Sequence, residues 1–121
     1  LSRVLKVNST LTHLLLAGNN IGPEGAEAIA AGISSNAALT RLDLSHNSVG
    51  AQGLASMLVA LRANAVLTAL DLRWNCIEYS DQMGDTLTAV LQKNKTLVQL
   101  GLSGSTNSEE YTKLHLNGRL F

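Results

Sequence analysis

Four segments of the sequence can be laid over one another: LTHLLLAGNNIG at 11–22, LTRLDLSHNSVG at 39–50, LTALDLRWNCIE at 67–78 and LVQLGLSGSTNS at 97–108. They start 28, 28 and 30 residues apart. A unit of that length buries no core of its own, so repetition at a near-constant period requires each unit to complete its neighbour's interior. Within the segments, Leu14/Leu16, Leu42/Leu44, Leu70/Leu72 and Leu100/Leu102 alternate with period two, which predicts short strands with one face inward. The first three are followed by apolar stripes at helical spacing: Ala26, Ile29, Ala30 and Ile33; Leu54, Met57, Leu58 and Leu61; Met83, Leu87, Val90 and Leu91. A strand and a helix repeated at constant length return each strand beside the last as a parallel neighbour through a right-handed crossover. The expected fold class is therefore α/β, a right-handed β-α superhelix. Strands sit about 4.8 Å apart and helices about 8–10 Å, so the stack should bend into a horseshoe segment with its parallel sheet on the concave face.

The pattern L-x-x-L-x-L-x-x-N-x-I/V-G-x-x-G followed by a helix resembles the leucine-rich repeat family, in its long, ribonuclease-inhibitor-like class, over essentially the whole chain. The array is also similar to those of NOD-like receptor proteins. Where the chain leaves each strand and turns, buried backbone groups need replacement hydrogen bonds. The resemblance implies that a ladder of stacked asparagines supplies them, with Asn19, Asn47 and Asn75 at its positions and Ser105 where a fourth would stand. Asn8, Asn36, Asn64 and Asn94 close the helices, and a left-handed backbone is expected there.

The chain reads as one leucine-rich repeat domain over 1–121. A helix of a partial first repeat occupies 1–10, full repeats occupy 11–38, 39–66 and 67–96, and an atypical C-terminal repeat or cap occupies 97–121. Leu1, Val4 and Leu5 share one face of the first helix and are expected to cover the first strand layer. In the last segment Asn107 and Glu110 suit a capping box, with Tyr111 and Leu114 inward and Gly118 ending a short helix. The third repeat is longer by two residues, and its EYSDQMG loop at 78–84 is expected to bulge at the surface. The chain begins with Leu1 rather than methionine, as expected of a chain with residues removed ahead of it and of a part of a larger polypeptide or assembly.

Composition narrows the function. Nine Lys+Arg balance nine Asp+Glu, which argues against a nucleic-acid or anionic-membrane partner held by bulk charge. No apolar run approaches the roughly 18 residues of a membrane span. One cysteine, Cys76, excludes an intrachain disulfide and fits a reducing compartment, so an intracellular, cytoplasmic location is expected. No phosphate loop is present, since GPEGAEA at 22–28 has neither the lysine nor the spacing. His13 and His46 are too far apart in height to share a metal, and His115 lies in the terminal segment. No cofactor or metal is expected.

Alternation sends His13, Leu15 and Ala17, then Arg41, Asp43 and Ser45, then Ala69, Asp71 and Arg73, then Gln99, Gly101 and Ser103 to the concave face, with His46 and Trp74 at the strand ends. Asp43 and Asp71 occupy equivalent places on adjacent strands, roughly 5 Å apart, with Arg41 and Arg73 diagonally placed to offset the like charges. Two carboxylates at that distance suit a retaining glycosidase, but an open strand surface has no pocket to exclude water. Trp74 and Arg73 belong to the residue types that anchor protein interfaces; alternatively, Trp74, whose counterparts in the other repeats are Gly18, His46 and Gly104, simply lies over the neighbouring loop. The expected function is a non-catalytic module binding another protein through Arg41, Asp43, His46, Asp71, Arg73, Trp74 and Gln99. The alternatives are a tropomodulin-like actin-binding or capping domain, a GTPase-activating protein of the Ran-activator type, and a structural subunit docked in a large assembly.

Overall fold

The computed structural model describes residues 1–78 and 80–102. Its elements run α1 (Ser2–Val7), β1 (His13–Leu15), α2 (Pro23–Ser35), β2 (Arg41–Asp43), α3 (Gly50–Ala63), β3 (Ala69–Asp71), α4 (Asp81–Lys93) and β4 (Gln99–Gly101). The four strands form one parallel sheet in sequence order. Its register follows the sequence repeat: Leu14, Leu42, Leu70 and Leu100 are partners in a row, as are Leu15, Asp43, Asp71 and Gly101. A slip of one residue would turn every leucine outward, so the apolar alternation and the register enforce each other. The chain is thus an α/β solenoid.

The core lies between sheet and helices. Leu39, Leu42 and Leu44, with Leu67, Leu70 and Leu72 and then Leu97, Leu100 and Leu102, are fully enclosed together with the α2 and α3 stripes and Leu87, Val90 and Leu91 of α4. Met83 is partly buried against them. Helices α2 and α3 approach closely where Gly53 lies against Ala26; a Cβ on Gly53 would stand 3.1 Å from that of Ala26. Alanine and glycine in these stripes are spacing devices.

Two asparagine ladders tie the turns together. In the first, Asn47 Oδ1 accepts the N–H groups of Asn19 (2.8 Å) and Ile21 (2.9 Å), while its Nδ2 donates to the carbonyls of Leu16, Leu44 and Ser45. Asn75 repeats this one turn on, accepting from Val49 and donating to Leu44, Leu72 and Arg73. Asn19 begins the series exposed, donating within its own turn to Leu16 and Ala17.

The second ladder corrects an expectation. Asn8, Asn36, Asn64 and Asn94 have φ between −73° and −88° with ψ from 114° to 132°, an extended and not a left-handed backbone. Their side chains are the reason for their presence. Asn36 Nδ2 donates to Leu5 and Asn8 carbonyls, Asn64 to Ile33 and Asn36, and Asn94 to Leu61 and Asn64, while each Oδ1 accepts the N–H groups two and three residues onward. Each thus joins the end of one helix to the preceding turn's helix end and to the strand that follows. A lesser row runs through Thr40 and Thr68, whose hydroxyls donate to the carbonyls of Thr12 and Thr40.

The first turn differs from expectation as well. Helix α1 packs on α2 and not on β1. Leu5 alone is enclosed, against Gly32, while Leu1, Val4 and Val7 are 57, 52 and 82% exposed. A six-residue helix with no strand of its own rests on a single side chain, so it does not cover the first layer, and Leu14, Leu16 and Ile21 stay only partly buried. In the longer loop, Ser80 caps α4 by accepting the Met83 N–H, and Glu78, Ser80 and Gln82 are exposed. Ser103, Gly104, Ser105, Asn107, Glu110, Tyr111, Leu114, His115 and Gly118 lie outside the described residues.

Loss of a buried amide strands several partners at once. Asn47→Ala is expected to lower unfolding free energy by roughly 3 kcal/mol and Asn19→Ala by less than about 1 kcal/mol in urea titrations. Because Asn64 is extended, Asn64→Gly should be at least as damaging as Asn64→Ala; rescue by glycine would restore the left-handed explanation.

Candidate protein interface on the sheet face

The sheet face carries the residues that alternation sent there. Arg41, Leu15 and Gln99 are exposed, Asp43 is half-buried, and Asp71 and Ser45 are nearly enclosed. The register places Arg41 beside Ala69 and Ala69 beside Gln99, with Asp43 beside Asp71. Arg41, Leu42, Asp43, Ala69, Asp71 and Arg73 line a depression of about 150 Å³, floored by the small Ala69. Six of the seven expected contact residues therefore lie on or next to two adjacent strands, and Gln99 stands one strand further out.

The charges pair differently from the diagonal arrangement expected. Arg73 turns back along its own strand and grips Asp71, Nη2 lying 2.7 Å from Oδ2 and Nε 3.0 Å from Oδ1, while Asp71 Oδ1 also accepts the Arg73 N–H. The pair lies over Gly101: a Cβ there would stand 2.8 Å from Asp71 Oδ1 and 3.0 Å from Arg73 Cγ. The hydrogen bond to Asp71, reinforced by the charges of Asp71 and Asp43 and opposed by partial burial, holds the Arg73 guanidinium above its ordinary value, so it stays charged. Asp43 accepts the Ser45 N–H through Oδ1. Among the described residues neither Asp43 nor Arg41 has an ion-pair partner, because the position two beyond Asp43 is a serine and not an arginine.

At the strand ends the backbone is left-handed at the same place in the first three repeats: Gly18 at φ +70°, His46 at +55° and Trp74 at +60°. The N–H of Gly18 donates to the Ser45 carbonyl and that of His46 to the Arg73 carbonyl, continuing the parallel ladder. The rings of His46 and Trp74 stack at 5.9 Å and 15°, and Trp74 is 55% exposed. A left-handed backbone costs a residue with a Cβ about 1–2 kcal/mol, whereas an aromatic pair returns about 0.5–1.5 kcal/mol. Stacking alone does not offset two such residues. Both side chains stay exposed on left-handed backbone, as do those of Asn20 at φ +53° and Cys76 at +54°.

The remaining candidates do less. Cys76 is exposed, with a left-handed φ of +54°. His13 meets only Thr12 through its ring Nδ1 at 3.0 Å. Among the described residues no cluster of His, Cys, Asp or Glu is arranged to hold a metal ion, and no helix is long and apolar enough to cross a membrane. On the helix side a cleft of about 200 Å³ opens between α3 and α4, lined by Ala55, Leu58, Ser80, Gln82, Met83 and Thr86.

A family model described as leucine-rich repeat matches residues 7–30, 35–58 and 63–80, more than half of the chain. The chain belongs to the leucine-rich repeat family. A search of curated proteins gave no significant match. Among solved structures, this leucine-rich repeat chain is similar to the actin-binding site 2 of leiomodin-1, with a TM-score of 0.83, 22% identity, and coverage of 98% of this chain and 66% of that one. It is also similar to the C-terminal domain of tropomodulin from Caenorhabditis elegans, with a TM-score of 0.65, 9% identity, and coverage of 98% and 88%. At these identities the likeness is one of fold. The chain spans just under two thirds of the leiomodin chain's length.

Sequence reasoning put the candidate residues on the sheet face, where the structure has them, but missed the His46–Trp74 stack and the left-handed backbone beneath it. The signal was present: Gly18, His46 and Trp74 are 28 residues apart, and a glycine in one copy marks a backbone that the other copies must share. Two measurements follow. Trp74→Gly and His46→Gly should leave the thermal midpoint unchanged or raised, because each relieves a left-handed side chain. Gly101→Ala should cost about 1–2 kcal/mol by pressing on the Asp71–Arg73 pair, and less in an Arg73→Ala background, as a double-mutant cycle would register.

Proposed function

We propose that this leucine-rich repeat chain is a non-catalytic module that binds another protein on its sheet face, with Arg41, Asp43, His46, Asp71, Arg73, Trp74 and Gln99 in the contact. The exposed His46–Trp74 stack, on left-handed backbone at the ends of the strands and on the same face as Arg41 and Asp43, which have no ion-pair partner among the described residues, is the observation that carries this reading. Tryptophan and arginine are favoured anchors at interfaces, and a sheet surface whose side chains are already ordered reduces the entropy lost on association. The proposed domain extends over 1–121, with repeats bounded at 11–38, 39–66 and 67–96 and a terminal cap at 97–121. The array is of the long, ribonuclease-inhibitor-like kind, similar to those of NOD-like receptors.

The test is affinity capture from lysate with wild-type protein and with Arg41→Glu/Trp74→Gly. Neither change removes an internal ion pair, and matching melting curves would establish that the variant is folded. Prey recovered by the wild type and lost from the variant are expected; identical prey would exclude this surface. A second reading is favoured by the fold shared with leiomodin-1 actin-binding site 2 and the tropomodulin C-terminal domain: the partner is actin. Slowed pyrene-actin depolymerisation at pointed ends would support it, and unchanged kinetics at saturating protein would remove it.

A further inference from the structure

The row formed by positions 18, 46 and 74 is incomplete in one direction. Trp74 covers one face of the His46 ring. On the other side the neighbouring position is Gly18, where nothing lies within 4 Å of the point a Cβ would occupy. Backbone hydrogen bonds run across this row, so adjacent positions are about 4.8 Å apart, close to the separation needed for one further planar group. Ala17, next to Gly18, is exposed, and Leu15, three residues earlier on the same strand, is 66% exposed, giving an apolar approach to the gap. Leu15 is the register partner of Asp43, whose Oδ1 is held by the Ser45 N–H and whose Oδ2 has no hydrogen-bond or ion-pair partner among the described residues.

We infer that this gap receives an arginine side chain of the partner protein, its guanidinium stacked on His46 and paired with Asp43, its methylene stem lying on Leu15 and Ala17. The inference rests on sheet-face binding and names the residue that the face takes. Three demands meet in arginine: a flat group for the ring, a positive charge for Asp43, and an apolar stem for the approach. A lysine satisfies the charge without the plane, and a tyrosine the plane without the charge. The adjacent repeat already holds such a pair internally, since Asp71 is gripped by Arg73 through two parallel contacts; the second repeat, with Ser45 in the corresponding place, makes no such contact to its aspartate, which acts on Arg73 through its charge alone.

The inference is tested without knowing the partner, by two-dimensional amide NMR of the 15N-labelled chain titrated with N-acetyl-arginine amide, N-acetyl-lysine amide and N-acetyl-tyrosine amide. Arginine is expected to give saturable shifts centred on Gly18, Asp43 and His46, with lysine weaker by roughly fivefold. Asp43→Asn should abolish the preference for arginine over lysine. Gly18→Asn, which tolerates the left-handed backbone and fills the gap, should abolish the response while leaving the spectrum folded. Equal response to lysine, stronger response to tyrosine, or no localised shift would each overturn the assignment. If these titrations fail while prey capture still depends on Arg41 and Trp74, sheet-face binding stands without the slot. Prey capture indifferent to those residues removes the broader reading independently.

Discussion

Every turn of this chain must bury backbone N–H and C=O groups at two places, where a strand gives way to a loop and where a helix gives way to the next strand. Neither place has a sheet or helix partner to satisfy them. Asparagine is suited to both because its amide accepts and donates from one short side chain. Asn47 and Asn75 serve the first junction, and Asn36, Asn64 and Asn94 the second. Each reaches across to the preceding turn as well as within its own, so the bonds that make a turn possible also fix the spacing and phase of the stack. The leucine rows supply the driving force for burial, and the asparagines make that burial tolerable.

Once the backbone is satisfied from inside, the outward side chains of the sheet are released from structural duty, and their chemistry becomes informative. Asp71 is the exception: nearly enclosed, it is neutralised by Arg73, and the pair fits only because position 101 has no side chain. Asp43, its neighbour in register, has no such arrangement. The same contrast appears at the strand ends, where Gly18 takes the left-handed backbone at little cost while His46 and Trp74 take it with a Cβ, their rings stacked on one another.

The leiomodin-1 and tropomodulin structures share this coil of strands and helices, but a common coil is compatible with many surfaces. The functional reading depends instead on a few side chains that the repeat leaves free to vary: one turn carries an exposed leucine where the next has an aspartate and the third an aspartate already paired. A face assembled in this way is read across turns and not along the chain.

Much was legible in the sequence because a period of 28 residues, with alternating leucines and helical stripes, leaves one arrangement in which every apolar row is buried. Local spacing determined the α/β coil, the register, the inward leucines and the identity of the residues on the sheet face, and the family resemblance supplied the ladder at Asn19, Asn47 and Asn75. Tertiary structure decided what depends on distances between turns: that Asn36, Asn64 and Asn94 act through side chains on extended backbone, that a short first helix leaves Leu1 and Val4 exposed, that Arg73 turns to Asp71 over Gly101, and that His46 stacks on Trp74 beside an empty place at Gly18. A periodic pattern specifies which residues become neighbours. The conformation of each side chain follows from the space those neighbours leave, and that space exists only once the turns are stacked.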